Sequence, residues 1–406
     1  MSKLSSLPAF QLSSFLDRFQ KEISYCTYCP KLCRFACPVA EAERKETSIP
    51  QVRQEILHLV RAGRLPLTPE IAEVFHHCAF CLHCRTYCKH LIEVPAVMEE
   101  ARGQAADYRG EKARAFLSRY QADGTPFGPR LPERIDELIR VEQRVPEAQA
   151  VYFAGCTAAK YRPENITDTE KVFSRLGIDY VGFYAEEEFC CGMPLLNFGE
   201  YEAFKARAGK VAKKLSRYKL ILSGCPACVY VLKVRYEQFG IRIPGKVQHI
   251  TEFLSEKLES DVLGPSPILG INPKSEVKNE AVLNTKDQTS DLGLVTSDVF
   301  YHDPCYLGRY LGVFDPPRKI LARVLGRPAG ELFWARQDSL CCGGGGAVPL
   351  MFPDTSRRIT ARRLEEFGRK GGRLLVTSCP FCERNFQRQD PGIQVKDIVN
   401  VMAEKI

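Results

Sequence analysis

Cysteine is the residue that most constrains this chain. Eighteen of its 406 residues are cysteine, and they fall into tight groups, whereas cysteines used only as small buried apolar residues would be scattered. Two groups lie near the amino terminus: Cys26, Cys29, Cys33 and Cys37, followed by Pro38, and then Cys78, Cys81, Cys84 and Cys88. The other ten form two copies of one pattern, an early cysteine, a Cys-Cys-Gly and a late Cys-Pro-x-Cys. The first copy holds Cys156, Cys190, Cys191, Cys225 and Cys228; the second holds Cys305, Cys341, Cys342, Cys379 and Cys382. No cysteine is left over.

The compartment decides what these thiols do. No apolar run is long enough to span a bilayer. Met1 to Gln20 is polar and lacks a signal core, and its Phe10, Leu12, Phe15, Leu16 and Phe19 read as one face of a packing helix. The expected location is the cytoplasm, peripheral to a membrane only through a partner. Thiols there stay reduced, so metal or cluster ligation is expected rather than disulfides. The formal charge is +8. Each cubane held by four thiolates brings about −2, and the basic residues are dispersed among acidic ones, so a nucleic-acid partner is not expected.

The spacing favours iron–sulfur clusters over zinc. Zinc sites use two cysteine pairs separated by a longer spacer, whereas here four cysteines crowd a short run, twice. Three closely spaced thiolates can wrap three corners of a cubane, and in two-cluster ferredoxins the fourth crosses to the other cluster. By that rule Cys26, Cys29, Cys33 and Cys88 hold one [4Fe-4S] cluster, and Cys78, Cys81, Cys84 and Cys37 hold the other. The first run has one extra residue between its second and third cysteines, and Lys89 replaces the proline expected after the second run. His76, His77 and His83 lie nearby but read as supporting or surface groups, since four thiolates already saturate each site.

An α/β architecture is expected: a helical two-cluster domain followed by two pseudo-symmetric α/β domains. Residues 1–110 form the helical domain, with helices at Gln51–Ala62, from Thr68-Pro69 onward and after Pro95. Residues 111–147 form a helical connector broken at Gly124, Pro126, Gly128 and Pro129. The repeats occupy 148–254 and 298–406. Each opens with a strand (Val151–Ala154; Val299–His302), continues with a helix (Glu170–Leu176; Pro317–Leu325), and reaches Cys-Cys-Gly. A basic helix follows (Tyr201–Tyr218; Thr355–Arg369), then an apolar strand (Leu220–Leu222; Leu374–Val376) ending in Cys-Pro-x-Cys. Strand–helix–strand order implies parallel pairing with right-handed crossovers. Residues 255–297, rich in Ser, Asn, Asp, Lys, Pro and Gly, read as a linker or insertion.

The repeated five-cysteine pattern resembles the CCG domain of heterodisulfide reductases. A ferredoxin segment fused to two such domains resembles their D-type subunit and its bacterial relatives. The stretch Tyr301-His302-Asp303-Pro304-Cys305-Tyr306-Leu307-Gly308-Arg309 and the run Cys341 to Gly346 look particularly like that group. The resemblance implies one or two noncubane [4Fe-4S] clusters, held by the ten CCG cysteines in a catalytic role. Electrons would pass to them from the two cubanes, and a disulfide would be reduced or formed between them. It also implies a redox partner subunit, either a flavoprotein or a membrane cytochrome or quinone-reactive subunit. The more distant iron–sulfur subunits of glycolate, lactate and glycerol-3-phosphate dehydrogenases share the layout but often lose CCG cysteines. They supply the alternative, a non-catalytic electron-transfer subunit of a flavin-dependent dehydrogenase or membrane complex.

Three other features have plainer readings. Gly343 to Gly346 fits a close approach of backbone to a cluster better than a dinucleotide phosphate, because no G-x-G-x-x-G follows a strand. His302 and Asp303 read as turn and supporting hydrogen-bond groups, with proton relay to a thiolate as the alternative. Glu186-Glu187-Glu188 reads as a solvated loop.

Overall fold

The structure is a computed structural model that describes residues 16–129, 131–139, 148–184, 189–259 and 298–406. The amphipathic positions Phe10, Leu12 and Phe15, the Glu186–Glu188 triplet and residues 260–297 lie outside them. The chain divides into two compact units.

One unit is helical and combines residues 1–117 with 194–201 and 343–359. Its helices include Gln20–Thr27, Pro50–Arg61, Pro69–Val74 and Val94–Gln104. Three of these carry proline in the first turn, where its missing N–H costs nothing. Thr68 caps the third, its hydroxyl accepting from the Ile71 N–H at 3.4 Å. Each helix turns an apolar stripe inward, and Ile23, Leu57, Ala72, Phe75, Val97, Met98 and Ala101 form one core with Cys26, Cys78 and Cys84. The cysteines therefore sit on a packed helical scaffold, and no β-strand is formed in this unit among the described residues.

The other unit holds residues 118–193, 202–342 and 360–406. It contains two four-stranded sheets, all strands parallel. In the first, β1 (Ala150–Tyr152), β2 (Val181–Phe183), β3 (Leu220–Ser223) and β4 (Lys246–His249) stand in the order β2-β1-β3-β4. In the second, β5 (Val299–Tyr301), β6 (Gly330–Glu331), β7 (Leu374–Thr377) and β8 (Gln394–Asp397) stand in the order β6-β5-β7-β8. Ala150 pairs with Leu220 and Leu220 with Lys246; Val299 pairs with Leu374 and Leu374 with Gln394. Central strands covered on both faces must be apolar throughout, as Leu-Ile-Leu and Leu-Leu-Val are.

The sheets are related as a pseudo-twofold pair. Helix Pro163–Arg175 of the first copy packs on Ile398–Lys405 of the second, and the corresponding pair, Asp315–Leu325 and Ile250–Glu259, packs reciprocally. Arg162 and Asn165 of the first copy grip the buried Glu383 of the second, the Asn165 amide donating at 2.8 Å. Helix Ile250–Glu259 extends into the stretch read from sequence as linker, because Phe253 and Leu254 are core residues.

Candidate metal centres

In the helical unit the cysteines occupy helix ends and tight loops. Cys26 lies in the last turn of Gln20–Thr27, Cys33 in the 3-10 turn Leu32–Arg34, and Cys37 at the start of Pro38–Glu43. Cys78 and Cys81 lie in a loop, and Cys84 in the short helix His83–Thr86. Lys31, Phe80 and Leu82 adopt left-handed backbone (φ 68°, 52° and 60°). Non-glycine residues are seldom held there except at over-determined sites, and here they curl the loops inward.

The curl brings the thiols into two adjoining sets. Cys26, Cys29, Cys33 and Cys88 line a cavity of about 130 Å³, with Cys84 at its wall. The Cys26 thiol is pushed up to about 12 by burial and then by Cys33, Cys88 and Cys29. Burial pushes Cys37 up to about 11; Cys81 and Cys78 act in the same direction, and the Arg53 guanidinium opposes them. Burial also raises Cys84, with Cys81, Cys78 and Cys37 beside it. Arg53 is 1% exposed and its Nη2 lies 3.6 Å from Cys37 Sγ. Thiols crowded this way resist ionisation on their own and ionise on binding a cationic core. The donor set therefore fits iron–sulfur clusters.

The histidines take other partners. His77 Nδ1 meets Glu43 at 2.7 Å, and Glu43 also accepts from Thr355 at 2.9 Å. Burial, reinforced by Arg102 and Arg109, holds His76 neutral. Arg102, fully buried, donates to five carbonyl oxygens: Phe75 at 2.9 Å, Asn197 at 2.8 Å, Gly346 at 2.9 Å, His76 at 3.3 Å and Cys78 at 2.9 Å. The glycine run is explained here. A Cβ on Gly346 would stand 2.0 Å from the Cys78 oxygen, and one on Gly345 would stand 2.3 Å from that of Ala79. The run thus makes a close backbone approach, to the peptide carrying Cys78.

In the other unit every CCG cysteine lies beyond the carboxyl end of a strand or at the start of the following helix. Cys156 opens a helix after β1, Cys190 and Cys191 follow β2, and Cys225 and Cys228 begin the helix after β3. The chain winds to opposite sides of β1 and β3, and open parallel sheets bind their ligands at such a switch point. Gly155 (φ 80°) admits Cys228, whose Sγ would lie 3.0 Å from a Cβ there. The five thiols form a continuous hydrogen-bonded chain. Cys156 and Cys191 donate to Cys190, as does the Tyr120 hydroxyl, and together they hold Cys190 well below the usual thiol range. Cys228 donates to Cys191 and Cys225 and is itself raised.

The second copy repeats this arrangement with a change. Cys341 and Cys382 donate to Cys342, and so does His302; these bonds hold the Cys342 thiol low. Cys382 also donates to Cys379. The His302 ring nitrogen, Cys342 Sγ and Cys382 Sγ lie within 4.8 Å of one another, a spacing that could hold a metal ion. Cys305 is half-buried, whereas its counterpart Cys156 is buried. The helices that carry the two sets pack together, Pro226–Tyr230 against Tyr306–Tyr310, with the Tyr230 and Tyr306 rings 5.5 Å apart. Asp303 is locked by Arg318 (2.7 and 2.9 Å) and by the Arg336 N–H (2.8 Å), which leaves it a structural role.

Sequence reasoning missed Arg53, Tyr120, Arg102 and Arg363. A lone arginine or tyrosine on a helix face carries no spacing signal, and only the fold shows that Arg53, Arg102 and Tyr120 reach cysteine-bearing loops and that Arg363 holds His302.

Comparison with known proteins agrees with this construction. Residues 22–92 match the 4Fe-4S dicluster domain, and residues 150–233 and 299–387 each match the cysteine-rich CCG domain. The chain is 28% identical over 356 residues to the D-type subunit of the dihydromethanophenazine:CoB–CoM heterodisulfide reductase of Methanosarcina acetivorans, covering 83% of this chain and 79% of that protein. It is 25% identical to the EtfAB:quinone oxidoreductase of Syntrophomonas wolfei (77% of this chain, 43% of that protein). It is 24% identical to a subunit of the fumarate reductase (CoM/CoB) of Methanothermobacter marburgensis (77% and 57%). No described helix is long and apolar enough to cross a membrane.

Proposed function

Because this chain belongs to the iron–sulfur proteins that join a 4Fe-4S dicluster domain to two cysteine-rich CCG domains, we propose that it is the disulfide-active, electron-carrying subunit of a redox complex. The observation that supports this most is the completeness of both five-cysteine sets, carried by helices that pack on one another. Bound in these sets, iron–sulfur clusters would supply one-electron storage at two adjacent positions, which suits a disulfide that takes two electrons. In this reading Cys156, Cys190, Cys191, Cys225 and Cys228 hold one CCG centre, and Cys305, Cys341, Cys342, Cys379 and Cys382 the other. Cys26, Cys29, Cys33 and Cys88 hold the first cubane, and Cys78, Cys81, Cys84 and Cys37 the second.

The chain's own residues set the conditions at each site. Burial of the CCG thiols excludes water, and the half-buried Cys305 marks the side from which a small disulfide reaches the pair. Cys29, Cys33 and Cys88, also half-buried, mark where a partner subunit exchanges electrons with the first cubane. Lys31, Arg34 and Lys89, next to these cysteines in sequence, give that side a basic rim.

Anaerobic protein should carry about sixteen irons, four for each of four centres, and should reduce a disulfide with a chemical donor. Cys342→Ala should abolish that turnover while the electron paramagnetic resonance (EPR) signals of the dicluster domain persist; unchanged turnover would refute disulfide chemistry at this site. The similarity to EtfAB:quinone oxidoreductase favours a second reading, an electron conduit with no substrate of its own. A fully loaded protein that reduces no disulfide yet restores electron flow in a partner flavoprotein would establish that one.

A further inference from the structure

The two CCG copies share strand order and cysteine pattern but differ at a buried position beside the cysteines. β1 and β5 lead into equivalent residues, since the Phe153 N–H donates to the Leu222 oxygen and the His302 N–H donates to the Val376 oxygen. In the first copy that residue is Phe153, stacked on Phe189 at 5.9 Å and tilted against Tyr184 at 5.1 Å. In the second it is His302, 1% exposed, with the Phe386 ring edge-on at 4.9 Å.

The partners of His302 decide which of its nitrogens carries the proton. Arg363, itself fully buried, donates from Nε to His302 Nδ1 at 3.2 Å. Arg363 is fixed in turn by the Trp334 oxygen at 2.8 Å, Glu366 at 2.6 Å and the Ser339 hydroxyl at 3.2 Å. Guanidinium nitrogens can only donate, so Nδ1 is the acceptor and the single proton of the neutral ring resides on Nε2. That tautomer is suited to donating to a sulfur. It is unsuited to binding iron through Nε2, which would need the proton on Nδ1, where Arg363 already points one.

We infer that His302, whose ring nitrogen lies within 4.8 Å of Cys342 Sγ, is a positioning residue, a fixed N–H donor to that sulfur that makes the second CCG centre easier to reduce than it would be with phenylalanine in its place. The inference rests on the reading that the second set holds an iron–sulfur centre. A hydrogen bond to a ligand sulfur draws off part of its negative charge, which favours the electron-rich state. Phe153 offers no such bond from the equivalent position, and the first centre's donor is instead the Tyr120 hydroxyl, on Cys190. The proton stays on nitrogen throughout, so the centre takes up one electron and no atom is transferred.

Pulsed EPR on the full-length, cluster-loaded wild-type protein provides a test that needs no variant. A weak nitrogen coupling and an exchangeable proton at the second centre are expected. A strong coupling of directly bonded nitrogen, or none at all, would overturn the inference. Redox titration provides the second test. His302→Phe, which copies the first site, should cut the reduced-to-oxidised ratio of that centre about tenfold at fixed potential, a shift of about 59 mV for a one-electron couple. His302→Gln, which keeps an N–H donor, should recover most of the shift. An unshifted midpoint in His302→Phe, or a loss of its four irons with the dicluster signals intact, would refute a donor role. Wild-type protein with only the dicluster irons would refute both this inference and the reading beneath it.

Discussion

The Arg102 guanidinium donates to the carbonyl oxygens of Cys78 and Gly346, each at 2.9 Å, and so joins a cysteine-bearing loop to a residue far along the chain. Three further carbonyls and the face of Phe80, 4.2 Å from the guanidinium carbon, complete its surroundings. An arginine fork can serve acceptors in several directions at once, which a lysine ammonium cannot. Arg102→Met should strand buried acceptors at about 1–3 kcal/mol each and lower stability by at least ~3 kcal/mol. Arg102→Lys should recover only part of that loss. Urea midpoints of the loaded protein check the order wild type, Lys, Met. Iron analysis should show early loss from the set containing Cys78.

Gly346 should tolerate no side chain. Its φ of 60° and the 2.0 Å approach to the Cys78 oxygen mean that Gly346→Ala must displace the loop. Gly110, with open space around its Cβ position, is the matched control. Gly110→Ala should leave the melting temperature within a few degrees of wild type or raise it slightly, while Gly346→Ala lowers it and reduces iron content.

The iron-free protein should lose stability in alkali. Burial, then Cys33, Cys88 and Cys29, raise the Cys26 thiol from 9.0 to about 12. Above pH 9 the unfolded chain releases this proton while the folded one retains it. The folded state therefore binds more protons, and its stability falls as pH rises from about 9 towards 12. Below pH 9 this contribution is constant. Denaturant midpoints of iron-free protein at pH 7.5, 8.5, 9.5 and 10.5 should stay level and then decline. Loaded protein should be flatter over the same span, because its cysteines are thiolates at every pH in it.

Chelators should attack the two cubanes in sequence. Cys29, Cys33 and Cys88 are half-buried, whereas Cys37, Cys78, Cys81 and Cys84 are all buried. Anaerobic incubation with a strong iron chelator should remove about four irons in a fast phase. The EPR signal lost in that phase should be the one that Cys29→Ser eliminates.

Much of this architecture was legible in the sequence, because cysteine spacing and strand-to-turn transitions leave local marks. The helix expected at Gln51–Ala62 forms at Pro50–Arg61, and the strands expected before Cys225 and Cys379 form at Leu220–Ser223 and Leu374–Thr377. β4 and β8 escaped notice because Lys-Val-Gln-His and Gln-Val-Lys-Asp bury polar residues, with Gln248, His249 and Asp397 all at 3% exposure or less. The cysteine groups were legible as sets. Their surroundings were not, since Arg53, Tyr120 and Arg363 come from helices whose patterning looks ordinary. The contrast of Phe153 with His302 has meaning only once the two strands are aligned by their ladder hydrogen bonds.

The helical unit draws in residues 194–201 and 343–359, so its parts are scattered along most of the polypeptide. During synthesis the amino-terminal cysteine loops emerge early but wait for nearly nine-tenths of the chain before their packing is complete. The packing around those loops is therefore completed only after residues 343–359 have been made. A shortened version ending near residue 117 would carry all eight amino-terminal cysteines and lack the walls that hold them.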